Sequence, residues 1–295
     1  MEHFLVSVGV VTYNSADYVI ETLNSVFKQT YKEIELIISD DNSSDNTIQL
    51  CQQWLASHKE RFINTELITS KENTGVARNS NRAFCASHGA WYKLLDGDDV
   101  LFDNCIQDFV DFIELYPEKL FIASLTNVYE GTISENTCIM HNAGNVEDFF
   151  SKDVDGQLIY MANSNVIYSS SVIIKREVLD RIGGFDERYV VEDYPLYINA
   201  LESGVRIHFM DKLTAGYRRH TSFSNLQDQL FNIKYRRIAN KFNQERCYKY
   251  YTVGGRIRSR LIWWLQCFYE RFSLNKKTHE KSYVFFMKTI KKLFK

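Results

Sequence analysis

The sequence predicts an α/β chain built on a doubly wound, mostly parallel sheet flanked by helices, with a helical, basic C-terminal extension. Three observations predict it. Short β-rich apolar runs alternate with segments of helical periodicity through the first hundred residues. The links between them are short, as in βαβ units. The charge is also split: residues 234–295 hold 17 Lys or Arg against three Glu, a net of +14, and residues 1–233 carry a net of −16.

The elements follow in order. Phe4 to Val11 reads as a buried strand, broken by Tyr13-Asn14-Ser15. Tyr18 to Gln29 carries apolar residues at helical spacing, with Asp17 as its N-cap. Ile34 to Ser39 is the second strand, and 46–58 the second helix. Thr65 to Thr69 is a strand, and Val76 to His88 a helix closed by Gly89. Trp91 to Leu95 is the fourth strand. Beyond it the pattern loosens: a helix over Asp103–Leu115, a strand over Leu120–Leu125, then a loop-rich stretch over 128–165. Val172–Lys175 is strand-like, Lys175–Ile182 helical up to Gly183-Gly184, and Tyr194–Ser203 helical up to Gly204.

Bulk properties exclude several classes. The 295 residues can bury a large core, and only two prolines argue against a long disordered linker. The six cysteines are scattered without a C-x-x-C pair, which fits reduced thiols better than a disulfide framework or a zinc site. The N-terminus carries no basic n-region ahead of an apolar stretch, and no apolar run approaches the length of a membrane span. No P-loop is present.

Two acidic turns end apolar strands: Asp40-Asp41-Asn42-Ser43-Ser44-Asp45 and Asp96-Gly97-Asp98-Asp99. Either alone is an ordinary solvated turn. Together they lie at the carboxyl ends of parallel strands, where ligands bind in such sheets. Three carboxylates within four residues repel one another, and a hard dication relieves that repulsion. Mg²⁺ or Mn²⁺ shared with substrate phosphates fits this chemistry. Asp41, with no cation close by in sequence, can accept a hydrogen bond from a base N–H.

VSVGVVTYN (6–14), ELIISDDNSSDNT (35–47), NTGVARNSNRAF (73–84), HGAWYKLLDGDDVL (88–101) and GGFDERYVVEDYPL (183–196) together resemble family 2 glycosyltransferases of the GT-A fold. The resemblance covers roughly residues 4–225. It implies a catalytic domain over 1–228, with a nucleotide-binding half (1–100) and an acceptor-binding half (101–228), followed by the extension, 229–295. It further implies an inverting, metal-dependent transfer of sugar from a UDP-sugar to a glycan hydroxyl. Tyr13 would stack on uracil, Asp41 would take its N–H, and Val11 or Thr12 would add backbone contacts. Arg78 and Asn79 would line the donor pocket, and Asp96 would meet ribose or sugar hydroxyls. Asp98 would be the principal metal ligand, with Asp99 beside it and His220 reaching the metal or diphosphate. Asp193, or else Glu192, would be the catalytic base, with the helix N-terminus lowering its pKa. Asp186 would meet the acceptor.

The tail segments 256–272 and 281–295 mix cations with Trp, Phe, Tyr and Leu at helical spacing, as in helices that lie in a membrane interface. The expected setting is therefore cytoplasmic and peripheral, on the inner face of the plasma membrane, with a lipid-linked acceptor. A homodimer stays open, and no nucleic-acid module accompanies the basic tail. Two rivals remain. One is a non-catalytic sugar-nucleotide-binding partner subunit. The other is a haloacid-dehalogenase-type phosphatase with Asp96 as nucleophile, a family that normally places this strand near the N-terminus of its core, whereas three strands and another acidic turn precede it here.

Overall fold

The structure, a computed structural model, describes residues 4–219, 240–272 and 280–293. Strands β1 (Val6–Thr12), β2 (Ile34–Asp40), β3 (Asn64–Thr69) and β4 (Trp91–Asp96) lie parallel in the order β3-β2-β1-β4. Both β1 and β2 are buried along their whole length, so they read as unbroken apolar runs. Side chains alternate between the faces. Leu36, Ile38, Trp91 and Leu95 join one core with helices α1 (Val19–Phe27), α2 (Thr47–His58) and α4 (Cys105–Leu115). Ile37, Tyr92 and Leu94 join the other, with α3 (Val76–Ala86), α6 (Val154–Asn163), α7 (Arg176–Ile182) and α8 (Asp193–Glu202). The short α5 (Glu147–Phe150) precedes α6.

Past β4 the sheet becomes mixed. The next strand, β8 (Val172–Lys175), runs antiparallel to β4 and to β6 (Phe121–Glu130). Alongside β6 runs β9 (His208–Arg219), in parallel, and β9 takes β5 (Val100–Leu101) antiparallel on its outer edge. A ninth strand, β7 (Cys138–Ala143), pairs with β6 off this path.

Several local expectations change. The stretch 128–165 is not loop-rich: it holds the end of β6, then β7, α5 and α6. The N-cap of α1 is Tyr18 rather than Asp17. Gly89 does not close α3, which ends at Ala86 with Ser87 already extended. Gly89 is needed for a close approach instead, since a Cβ there would lie 2.6 Å from Ser7 N. Gly183 does end α7, in the left-handed region at φ 79°.

The extension contains α9 (Val253–Arg271) and α10 (Glu280–Leu293), which share a small core of Leu265, Tyr269 and Tyr283. Residues ahead of α9 tie it to the body: Phe242 is buried in the main core, and Arg246 and Tyr250 both bond Glu202 on α8. Among the described residues, no helix is long and apolar enough to cross a membrane.

Candidate active site

The turn after β4 is bound to its surroundings from three sides. Gly97 N donates to Val11 O at 2.9 Å, so the turn rests against the end of β1. A Cβ on Gly97 would sit 2.8 Å from Thr12 Cγ2 and 3.1 Å from both Ser15 Oγ and Val11 O, which is why glycine stands there. Asp99 turns inward and is fully buried. Its Oδ1 accepts the Arg218 backbone N–H at 2.8 Å, and its carbonyl accepts Thr22 Oγ1 at 2.7 Å. The buried Arg218 guanidinium donates to Asp98 O (2.7 Å), Gly131 O (2.6 Å) and Glu21 (2.5 Å), and lies over the Tyr18 ring. Asp99 thus anchors β4 to β9 through its Oδ1. Lys93, also fully buried, donates to Ser170 O behind Asp96 and Asp99, and burial lowers its pKa against the pull of those carboxylates.

Four carboxylates converge where β4 ends and α8 begins. Burial, then the charge of Asp98, pushes Asp96 up to about 7, with Asp193 adding to the rise and a hydrogen bond from Ser169 opposing it. Glu192 is buried and raised well above the usual carboxylate range by burial, then by Asp193, Asp96 and Asp98. Asp193 accepts hydrogen bonds from Tyr194 N (2.6 Å) and Asn165 Nδ2 (3.2 Å), yet burial raises its pKa. The direction is opposite to the lowering expected from the helix N-terminus, because desolvation outweighs the hydrogen bonds. Glu192 stands at the N-cap of α8 without making a capping bond.

The residues expected on the nucleotide side divide into exposed and committed. Tyr13 projects from the end of β1 and is 51% exposed, an open aromatic face beside the acidic turn. Val11 O accepts Gly97 N, and Thr12 O accepts Asp41 N and Asn79 Nδ2, so the end of β1 is bonded to both neighbouring turns and to α3. Asp41 is committed as well. Its carboxylate accepts Thr74 N, Thr74 Oγ1, Gly75 N and, at 2.6 Å, Arg82. These donors hold its pKa low against burial. Asn79 is buried and spends its amide on Ser39, Thr12 O and Arg82, so it ties α3 to the sheet instead of lining a pocket. Arg78 makes an exposed ion pair with Glu187 at 2.9 Å. Asp186 is paired with Arg188 and Arg246, which leaves little of it to meet an acceptor. His220 lies outside the described residues.

Sequence reasoning missed Arg82, Lys93, Asn165 and Ser169, and did not separate Arg218 from its basic neighbours. The spacing held a signal for one of them: Arg82 is one helical turn after Arg78.

The donor set also permits a metal test. Among the described residues, no three His, Cys, Asp or Glu side chains form a complete ligand cluster. A hard dication held by one or two carboxylates and completed by substrate phosphates needs none. Asp96 and Asp98, whose repulsion such a cation would relieve, fit that requirement.

A family model described as glycosyl transferase family 2 matches residues 7–183. The UDP-Glc:alpha-D-GlcNAc-diphosphoundecaprenol beta-1,3-glucosyltransferase WfaP of Escherichia coli is 27% identical over 260 residues, 86% of this chain and 95% of that protein. Glycosyltransferase GlyG of Streptococcus pneumoniae serotype 4 is 28% identical over 43% of this chain, and the match spans 40% of GlyG. Among solved structures, S. aureus TarS 1–349 in complex with UDP-GlcNAc superposes with a TM-score of 0.59 at 20% identity, covering 81% of this chain and 71% of that one. Mannosyltransferase PcManGT from Pyrobaculum calidifontis, in complex with GDP-Man and Mn²⁺, gives 0.60 at 15% identity, covering 85% and 72%. At such identities the structural likeness establishes the fold.

Proposed function

The chain belongs to glycosyl transferase family 2 and has the GT-A fold, and from that premise we propose an inverting, metal-dependent transfer of sugar from a UDP-sugar to a hydroxyl of a lipid-linked glycan, in polysaccharide biosynthesis at the inner face of the plasma membrane. The observation that carries the reading is the convergence of Asp96 and Asp98, after β4, with Glu192 and Asp193, at the start of α8, two carboxylate pairs that perturb one another's charge. Acid groups of this kind are expensive to hold together unless a cation and a proton transfer use them.

Each residue then has a task. Nucleotide would occupy the 1–100 half and acceptor the 101–228 half. Tyr13 offers its open ring to the uracil. Asp41 keeps the Thr74–Gly75 turn and Arg82 in place beside the base. Asp98, with Asp96, would hold Mn²⁺ or Mg²⁺, which neutralises charge on the departing diphosphate. Arg218, through Asp98 O and Asp99, fixes where that carboxylate stands. Asp193 takes the acceptor proton, with Asn165 orienting it and Glu192 as the neighbouring acid. A base placed opposite the leaving UDP inverts the anomeric centre.

The relatives support the finer terms. WfaP is named for a UDP-Glc donor, a diphosphoundecaprenol-linked acceptor and a β-linkage, and this chain spans nearly all of it. The test is a panel of UDP-hexoses and UDP-N-acetylhexosamines with Mn²⁺, read by thermal shift and slow UDP release. One UDP-sugar should stabilise the protein and lose its effect with EDTA. A flat response across the panel would sink the donor assignment.

A further inference from the structure

The strongest unassigned feature is a stripe along α9. Val253, Ile257, Leu261, Trp264, Phe268 and Phe272 follow one another at intervals of four, four, three, four and four residues, and all are exposed, Val253 by 75% and Trp264 by 63%. That spacing keeps them on one face. The helix has 19 residues, so the stripe runs for about 28 Å. It is not the packing face of α9. Leu265 and Tyr269 do the packing, against Tyr283 of α10, on another side of the helix.

Charge decides what covers such a face. From Val253 to Tyr269 there is no Asp or Glu, and Arg256, Arg258 and Arg260 stand in the same stretch. The segment from 234 onward carries a net of +14. Two copies pairing through this stripe would press their arginines together with little acid to offset them. An anionic lipid surface meets both requirements, with acyl chains for the stripe and headgroups for the cations.

The helix is also joined to the carboxylate site. Arg258 donates to Asn163 Oδ1 at 3.4 Å, at the end of α6. Two residues on, Asn165 donates to Asp193. We infer that the α9 stripe docks on an anionic bilayer and thereby holds the Asn165–Asp193 side of the site at the membrane surface. The inference rests on the reading of that site as the acceptor side of a glycosyltransferase only for its second half. Docking itself stands on the stripe and its charge.

The experiment uses the full chain and vesicles of phosphatidylglycerol with phosphatidylcholine, against phosphatidylcholine alone. Wild type should co-sediment with the anionic vesicles, and less as salt rises. The exposed double substitution Trp264→Glu/Phe268→Glu should weaken vesicle binding by at least about tenfold, the order expected for losing two buried aromatic side chains. Its thermal melt and its UDP release from donor alone should match wild type. No vesicle binding by wild type, or equal binding by the variant, would overturn the inference. A vesicle-free wild-type dimer that the substitution converts to monomer, with vesicle binding unchanged, would overturn it in favour of a second copy. Absence of UDP release from both proteins would count against the enzymatic reading and leave the vesicle result standing.

Discussion

Arg218→Met tests whether the acidic turn is held from behind. The side chain is 1% exposed, and its three acceptors are Asp98 O, Gly131 O and Glu21. Methionine restores most of the stem's packing and none of the donors. The arms differ in worth. Glu21 is 48% exposed, so water replaces that arm and its loss costs under about 1 kcal/mol. The two carbonyls each lose a hydrogen bond from a charged donor, about 1.5–3 kcal/mol apiece. The expected destabilisation is about 3–6 kcal/mol, the sum of the two carbonyl arms. Urea unfolding followed by far-ultraviolet circular dichroism measures it. Function should suffer separately, because the freed Asp98 carbonyl lets the turn move while Asp98 itself is untouched. Metal-dependent UDP binding by calorimetry, well below the melt, should weaken at least about tenfold for that reason. Arg218→Lys should fall between, since one ammonium cannot span three acceptors. A loss below about 1 kcal/mol together with unchanged UDP binding would show that the turn holds its shape without Arg218.

Three further outcomes follow from the same geometry. Asp98→Ala should abolish the metal dependence of donor binding, and calorimetry with and without Mn²⁺ that finds it intact would remove Asp98 as the ligand. Asp193→Asn should keep donor affinity and lower turnover by about 10²–10⁴-fold, the usual worth of a general base, and near-normal turnover would move the base elsewhere. In EDTA, melting temperature should fall as pH rises from about 4 through 7. Asp96 has its folded pKa raised to about 7, so its contribution is fully present below the unfolded value and lost as pH passes the folded one. Adding Mn²⁺ at pH 8 should restore the melt, whereas a pH-independent melt in EDTA would mean that the carboxylates do not repel.

What was legible in the sequence was local. Apolar runs and helical spacing identified β1, β2, β4 and α1 to α4 within a few residues, because each is decided by its own periodicity. The rule that ligands gather beyond the carboxyl ends of parallel strands then pointed to Asp96–Asp99. What was not legible depends on pairing across the chain. Asp211-Lys212 interrupts the apolar pattern of β9, and its partner β6 lies far away in sequence. Without β9 there is no reason to separate Arg218, which turns inward, from Arg219, which stays exposed. Without Arg218 there is no reason to see that Asp99 is tied to β9 while Asp98 is held only through its carbonyl. The same holds at Asp41, whose counter-charge Arg82 arrives from α3, 41 residues on.

The reversal at Asp193 has the same cause in electrostatic form. A helix N-terminus is a local feature and would lower the pKa. Desolvation is a property of everything packed around the carboxylate, and here it prevails. The consequence is specific to a base flanked by Glu192 and facing Asp96, both raised as well. Burial raises all three, and the neighbouring carboxylates raise Asp96 and Glu192 further, so charge in one pair depends on what neutralises the other. A cation at Asp96 and Asp98 would remove negative charge from beside Glu192 and Asp193 and ease ionisation of the base. Under the proposed assignment a donor-side metal and an acceptor-side base would then form one titrating system, which residue identity alone could not disclose.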